Sequence, residues 1–281
     1  MSMKTIFVAP CFGSGLEAPS PSPSLVDYAM TLAASQGAHL SVGLGVFDVV
    51  VHSAFLPNLQ LIVAGYNQEL RHKANTFAEE LRLRLRAAGI VAEIEIIQGT
   101  FTSVSRRFVQ LARLGDVAIL EPSNETLSLQ EGLIEEVLFS SGRPIIVVPK
   151  KWEMTAGYER VIVAWDGGAK AARAIGDALP FLRLADEVEV VSISGYPDQM
   201  KRLDGAEIAP HLARHCRTVK VTQLASRDGD IAATLASHAT LIGADLIVMG
   251  AYGHAKLMEV ILGGVTRSML CEPPVPVLMS C

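Results

Sequence analysis

Short apolar runs and amphipathic stretches alternate along the whole chain, and they do so twice in the same order. KTIFVAPCFG (4–13) and ERVIVAWDGG (159–168) are apolar runs ending in small-residue loops. Each feeds a helix-period pattern, SLVDYAMTLAASQG (24–37) and AKAARAIGDALPFL (169–182). Second and third runs follow at 39–47 and 91–99 in the first half, and at 187–194 and 218–225 in the second. A helical stretch then precedes a fourth run, GDVAILE (115–121) and ADLIVMG (244–250). A Pro-marked run closes each half, PIIVVP (144–149) and PVPVLM (274–279). Apolar runs of this length predict strands buried on both faces, and their alternation with helices predicts parallel βαβ units with right-handed crossovers. The expected fold class is α/β: two doubly wound, five-stranded parallel-sheet domains in tandem, Rossmann-like.

The polar stretch from Pro149 to Gly157, between two apolar strands, reads as a linker and sets expected domains of 1–150 and 157–281. The first half has a longer second helical segment, roughly 57–88, whose end is amphipathic and closed by Gly89. The closing runs are apolar and fall at sheet edges, where unpaired backbone groups invite pairing. They are expected to dock the halves as an intramolecular pseudo-dimer, with a homodimer of whole chains as a further arrangement.

Residues 243–266, GADLIVMGAYGHAKLMEVILGGVT, hold the most distinctive pattern. A buried-strand run breaks into Gly250 and Gly253, then Gly263-Gly264-Val265-Thr266 opens a helix pattern. Strand, glycine loop and helix start make an anion cradle, because glycine permits close backbone approach and the first helical N–H groups are unpaired and partially positive. In an open α/β sheet, ligands sit beyond the carboxyl ends of the strands where strand order reverses. The loops after the first and fourth strands flank that crevice, so Ala164-Trp165-Asp166 is brought toward the glycines. Asp166 either contacts the ligand or caps the helix that starts near Gly168. Asp245 is expected to satisfy local backbone groups.

These residues resemble the universal stress protein family in its tandem form. Its nucleotide-binding branch carries Gly-x2-Gly-x9-Gly-(Ser/Thr) after the fourth strand. Gly250, Gly253 and Gly263 match that spacing, while Gly264 replaces the hydroxyl residue, with Thr266 nearby as a substitute. The family's acidic residue after its first strand matches Asp166. The resemblance implies a binding site of Ala164, Trp165, Asp166, Gly250, Gly253, Gly263, Gly264, Val265 and Thr266. Its ligand would be ATP or a related nucleotide (ADP or AMP), with Mg²⁺ or Mn²⁺ arriving on the phosphates, and the role that of a stress-response sensor or effector. In the first half Glu121 takes the place of Gly250 and Asn124 that of Gly253, Glu131 and Gly132 fall near Gly263 and Gly264, and no Asp follows the first strand. Acidic groups repel a phosphate chain, so the first half is expected to be a degenerate domain that does not bind ATP. The alternatives are a scaffold or stress protein binding another small molecule, and a slow nucleotide hydrolase or flavin-linked carrier.

Composition narrows the classes. The formal net charge of −5 argues against non-specific nucleic-acid binding. Cys11, Cys216, Cys271 and Cys281 show no CxxC spacing and read as reduced thiols. No signal peptide and no membrane helix is expected, which predicts a cytoplasmic location. His211 and His215 share a helix face next to Cys216, but no third ligand accompanies them, and a solvated face is the simpler reading. There is no GxSxG elbow, and no residue set that would activate water. Catalytic and metal-ligating residues are therefore expected to be none, with at most weak ATPase activity.

Overall fold

A computed structural model of the chain describes residues 3–13, 21–50, 57–123, 128–153, 157–194, 204–251 and 264–281. Gly253 and Gly263 of the expected site, with Asn124, His254 and Lys256, lie outside these residues. The chain divides into two compact units, one built mainly from residues 3–121 and 125–143, the other mainly from 144–281.

The first unit runs β1 (Thr5–Val8), β2 (Cys11–Phe12), α1 (Pro23–Gln36), β3 (His39–Phe47), α2 (Pro57–Ala87), β4 (Ala92–Gly99), α3 (Phe101–Leu114), β5 (Val117–Leu120) and α4 (Leu129–Ser140). Its strands are parallel in the order β4-β3-β1-β5, with β2 continuing along β3 beyond a break at Ala9-Pro10. Pro10 has no N–H to give a ladder, so an interruption there is expected chemically. Phe7, Phe12, Tyr28 and Phe108 are fully buried and anchor the core.

The second unit runs β6 (Ile145–Val147), β7 (Arg160–Ala164), α5 (Ala169–Leu182), β8 (Glu187–Ser194), α6 (Gly205–Leu212), β9 (Val219–Ala225), α7 (Ile231–Ile242), β10 (Leu246–Gly250), α8 (Gly264–Cys271) and β11 (Val277–Ser280). Strands β11-β10-β7-β8-β9 are parallel in that order. The order reverses between β7 and β10, because the chain first builds outward through β8 and β9 and then returns to the other side of β7. β6 is the closing strand of the first half, and it adds antiparallel to β11 with Ile146 opposite Leu278. Ile145, Ile146 and Val147 are fully buried there.

One device starts the first strand of each unit. Asp116 Oδ2 accepts from the Lys4 and Thr5 N–H groups at 2.6 and 3.0 Å. Asp245 Oδ2 accepts from Glu159 and Arg160 N–H at 2.7 and 2.9 Å. The acidic residue before the fourth strand thus clamps the start of its neighbour, the local backbone role expected of Asp245.

Candidate functional site

The crevice of the second unit opens where β7 and β10 end side by side. Ala164 is the register partner of Met249, so Trp165-Asp166 and Gly250-Ala251 leave the sheet as adjacent loops. Trp165 is buried, and its N–H donates to Val191 O at 2.9 Å, tying the loop to β8. Asp166 is exposed. Its Oδ1 accepts from Gly168 N–H at 2.8 Å, and Gly167 between them has φ +73°. This is an Asx turn leading into α5, and it leaves α5 with Gly168 as its N-cap and no side-chain cap bond. The capping reading of Asp166 therefore holds two residues earlier than a true helix cap.

Gly250 has a steric reason that spacing alone did not reveal. A Cβ on it would lie 2.6 Å from both the Ala171 nitrogen and the Lys170 carbonyl carbon. The end of β10 runs directly under the first turn of α5, and only glycine lets the two backbones meet so closely. Gly264 is different. It opens α8, it is exposed, and a Cβ there would meet no heavy atom of the described residues within 4 Å. Val265 is half-buried, while Thr266 is buried on the inward stripe that also carries Met269 and Leu270.

The paired aspartates give the two units a common origin. Glu121 follows Asp116 by five positions (121 − 116), as Gly250 follows Asp245 (250 − 245), and Cys11 follows Thr5 by six (11 − 5), as Asp166 follows Arg160 (166 − 160). The strand ladders agree, with Val8 opposite Ile119 and Val163 opposite Val248. In the first unit Glu121 is buried, and its carboxylate accepts from Ser22 N–H at the N-cap of α1. Burial pushes the Cys11 thiol well up, and the negative charge of Glu121 adds to that. Glu131 and Gly132, expected roughly at the places of Gly263 and Gly264, lie in α4. They are the third and fourth residues of α4, whereas Gly264 is the first of α8. Ser128 caps α4 by accepting from Glu131 N–H at 3.1 Å, and that cap starts the helix earlier.

The other candidates resolve simply. The four cysteines are free thiols. The rings of His211 and His215 lie 5.0 Å apart, and His215 Nδ1 is 3.4 Å from Arg183 Nη2. Among the described residues no group of three or more His, Cys, Asp or Glu is arranged to hold a metal. Sequence reasoning missed the Glu189 cluster of β8. This carboxylate is 1% exposed and takes a hydrogen bond from Thr222, with Lys220 Nζ at 3.1 Å and His238 Nε2 at 3.3 Å. The second Glu of EVEVVSIS was its only signal.

Residues 157–280 match the model described as the universal stress protein family. The match to that family lies in the second half of the chain. The universal stress protein Slr1230 of Synechocystis is 25% identical over 171 residues, a match spanning 58% of this chain and 57% of that relative. A universal stress protein crystallised from Archaeoglobus fulgidus superposes over 98% of this chain and 97% of its own, with a TM-score of 0.70 at 18% identity. A functionally unknown protein from Pseudomonas aeruginosa aligns over 99% of this chain and 92% of its own, with a TM-score of 0.55 at 13% identity. The likeness of fold thus runs through both halves, although the family match covers only the second. Among the described residues no helix is long and apolar enough to cross a membrane.

Proposed function

We propose that the second unit of this universal stress protein binds ATP or a related nucleotide, ADP or AMP, as a cytoplasmic stress-response sensor or effector. The observation that carries the reading is the register of Ala164 with Met249, which sets the Asp166 turn beside the Gly250 loop where strand order reverses. The first turn of α8, which opens at Gly264, offers the partial positive charge of a helix start to a phosphate. Lys170 and Arg267 stand in the first turns of α5 and α8, where positive charge suits an anion. The metal would be Mg²⁺ or Mn²⁺ held through the phosphates, an arrangement that needs no protein ligand cluster. Occupancy, not turnover, is the output: nucleotide between the two loops changes the surface offered to a partner. The first unit has a carboxylate at the position of Gly250, which supports a single nucleotide site per chain.

Thermal melts and calorimetry of the full chain with ATP, ADP and AMP test the reading. Ligand at 100 times its dissociation constant should stabilise by about 2.7 kcal/mol. No shift with any of the three at millimolar concentration overturns it. Gly264→Ser has room for its side chain and restores the family's hydroxyl. It should tighten ATP by about tenfold, the worth of one hydrogen bond to a charged group, while leaving AMP unchanged.

A further inference from the structure

The long helix of the first unit outruns the strands it covers. α2 has 31 residues and spans about 46 Å, while β4 has 8 residues and spans roughly 26 Å. α2 is the crossover between the parallel strands β3 and β4, so it runs back against them. Its N-terminal turns therefore pass beyond their carboxyl ends. One contact marks where the strands stop. Val49, just past the end of β3, gives its N–H to Asn67 Oδ1, and its carbonyl accepts from Asn67 Nδ2, both at 3.0 Å. From there toward its C-terminus α2 buries Leu70, Ala74, Ala78, Leu81 and Leu85, one side chain per turn. None of residues 58–69 is buried.

The projecting turns are apolar around more than half of their circumference. Leu61, Ile62 and Val63 are consecutive and by themselves sweep about 200°. Leu61 is 74% exposed and Ile62 68%, with Val49 and Val50 at the base of the projection 42% and 53% exposed. Leu59 and Val63 are half-buried. Residues 58–68 carry no charged side chain. A helix that is apolar on most sides belongs in an interior, and helical turns that bury nothing are marginal in water, so this segment calls for a cover.

We propose that the projection is a self-association surface, through which two copies of the chain pair by packing α2 residues 58–66 antiparallel against the same turns of the other copy. A patch that meets itself across a two-fold axis puts like charges opposite one another wherever it carries any, and this one carries none. An anionic lipid surface is a poorer partner, because helices that lie in a membrane interface present Lys and Arg on a polar face and these turns have neither. The area agrees with pairing of modest strength. A buried aliphatic side chain removes about 60–120 Å² from water. Four or five from each copy then cover roughly 500–1,200 Å², the size of a weak, reversible interface. The assignment is independent of nucleotide binding in the second unit.

Sedimentation velocity of the full chain, from low micromolar to near-millimolar concentration, tests the proposal. The expected result is a reversible rise of the weight-average mass from one chain toward two. Ile62→Glu sets carboxylates against each other across the axis and should weaken the association by about tenfold or more. Leu241→Glu replaces an apolar side chain of α7 that is 82% exposed, and should leave the association unchanged. The proposal is overturned if the chain stays monomeric throughout, if Ile62→Glu associates as the wild type does, if Leu241→Glu weakens association equally, or if Ile62 is needed instead for co-sedimentation with phosphatidylcholine–phosphatidylserine vesicles. Should Ile62→Glu lose the native circular dichroism, Leu61→Lys takes its place, with the same weakening required.

Discussion

At the residue scale, Gly250 shows how a motif position is held by packing as well as by chemistry. Its replacement by alanine puts a methyl group against the backbone of Lys170 and Ala171. Gly250→Ala should therefore destabilise the second unit by about 1–3 kcal/mol, read as a lower urea midpoint with unchanged slope, and should abolish nucleotide binding by moving α5. Unchanged stability would show that α5 yields without cost. Asp166→Ala removes the Asx-turn acceptor for Gly168 N–H, an exposed bond worth about 0.5–1 kcal/mol. Any larger loss of nucleotide affinity then belongs to ligand contact. The spacing of Gly250 was legible in the chain. Its steric cause was not, since Lys170 and Ala171 are remote in sequence and meet it only through the β7–α5–β10 arrangement.

At the element scale, two devices fix strands in place. The aspartates before β5 and β10 each accept two N–H groups from the strand beside them. Asp116→Ala and Asp245→Ala should each cost about 1–3 kcal/mol, and the two losses should add because the sites lie in different units; denaturant melts of the double variant check this. The second device is the cluster around Glu189. Burial alone would raise this carboxyl, but Thr222, Lys220 and His238 outweigh it and hold it below the usual carboxylate value. A depressed folded-state value gives stability that is fully present above the unfolded-state pKa of about 4.3 and is lost as pH falls through the folded value. Glu189→Gln should therefore flatten the fall of stability below about pH 4.3. A variant that keeps the wild-type acid slope would refute the assignment. Strand and helix positions were readable because buried parallel strands are continuous apolar runs. The Glu189 cluster was not, because a Glu within such a run gives no hint that β9 and α7 deliver its partners.

At the scale of the whole molecule, the closing strand of the first half pairs with the closing strand of the second. Fully burying an Ile or Val side chain is worth about 1.5–3 kcal/mol, and β6 contributes Ile145, Ile146 and Val147 against β11. A fragment of residues 144–281 should accordingly melt at a clearly higher temperature than one of residues 157–281, and equal melting temperatures would show that β6 adds nothing. Periodicity determined by itself that the chain is α/β, that its strands are parallel and that the pattern occurs twice, because burial on both faces writes a continuous apolar signature. The glycine spacing and Asp166 likewise singled out the second half as the place of the proposed nucleotide site. Tertiary structure decided the rest. The antiparallel addition of β6 to β11 and the passage of β10 beneath α5 both depend on which segments become neighbours in space. Such adjacency leaves no periodic trace in the order of residues.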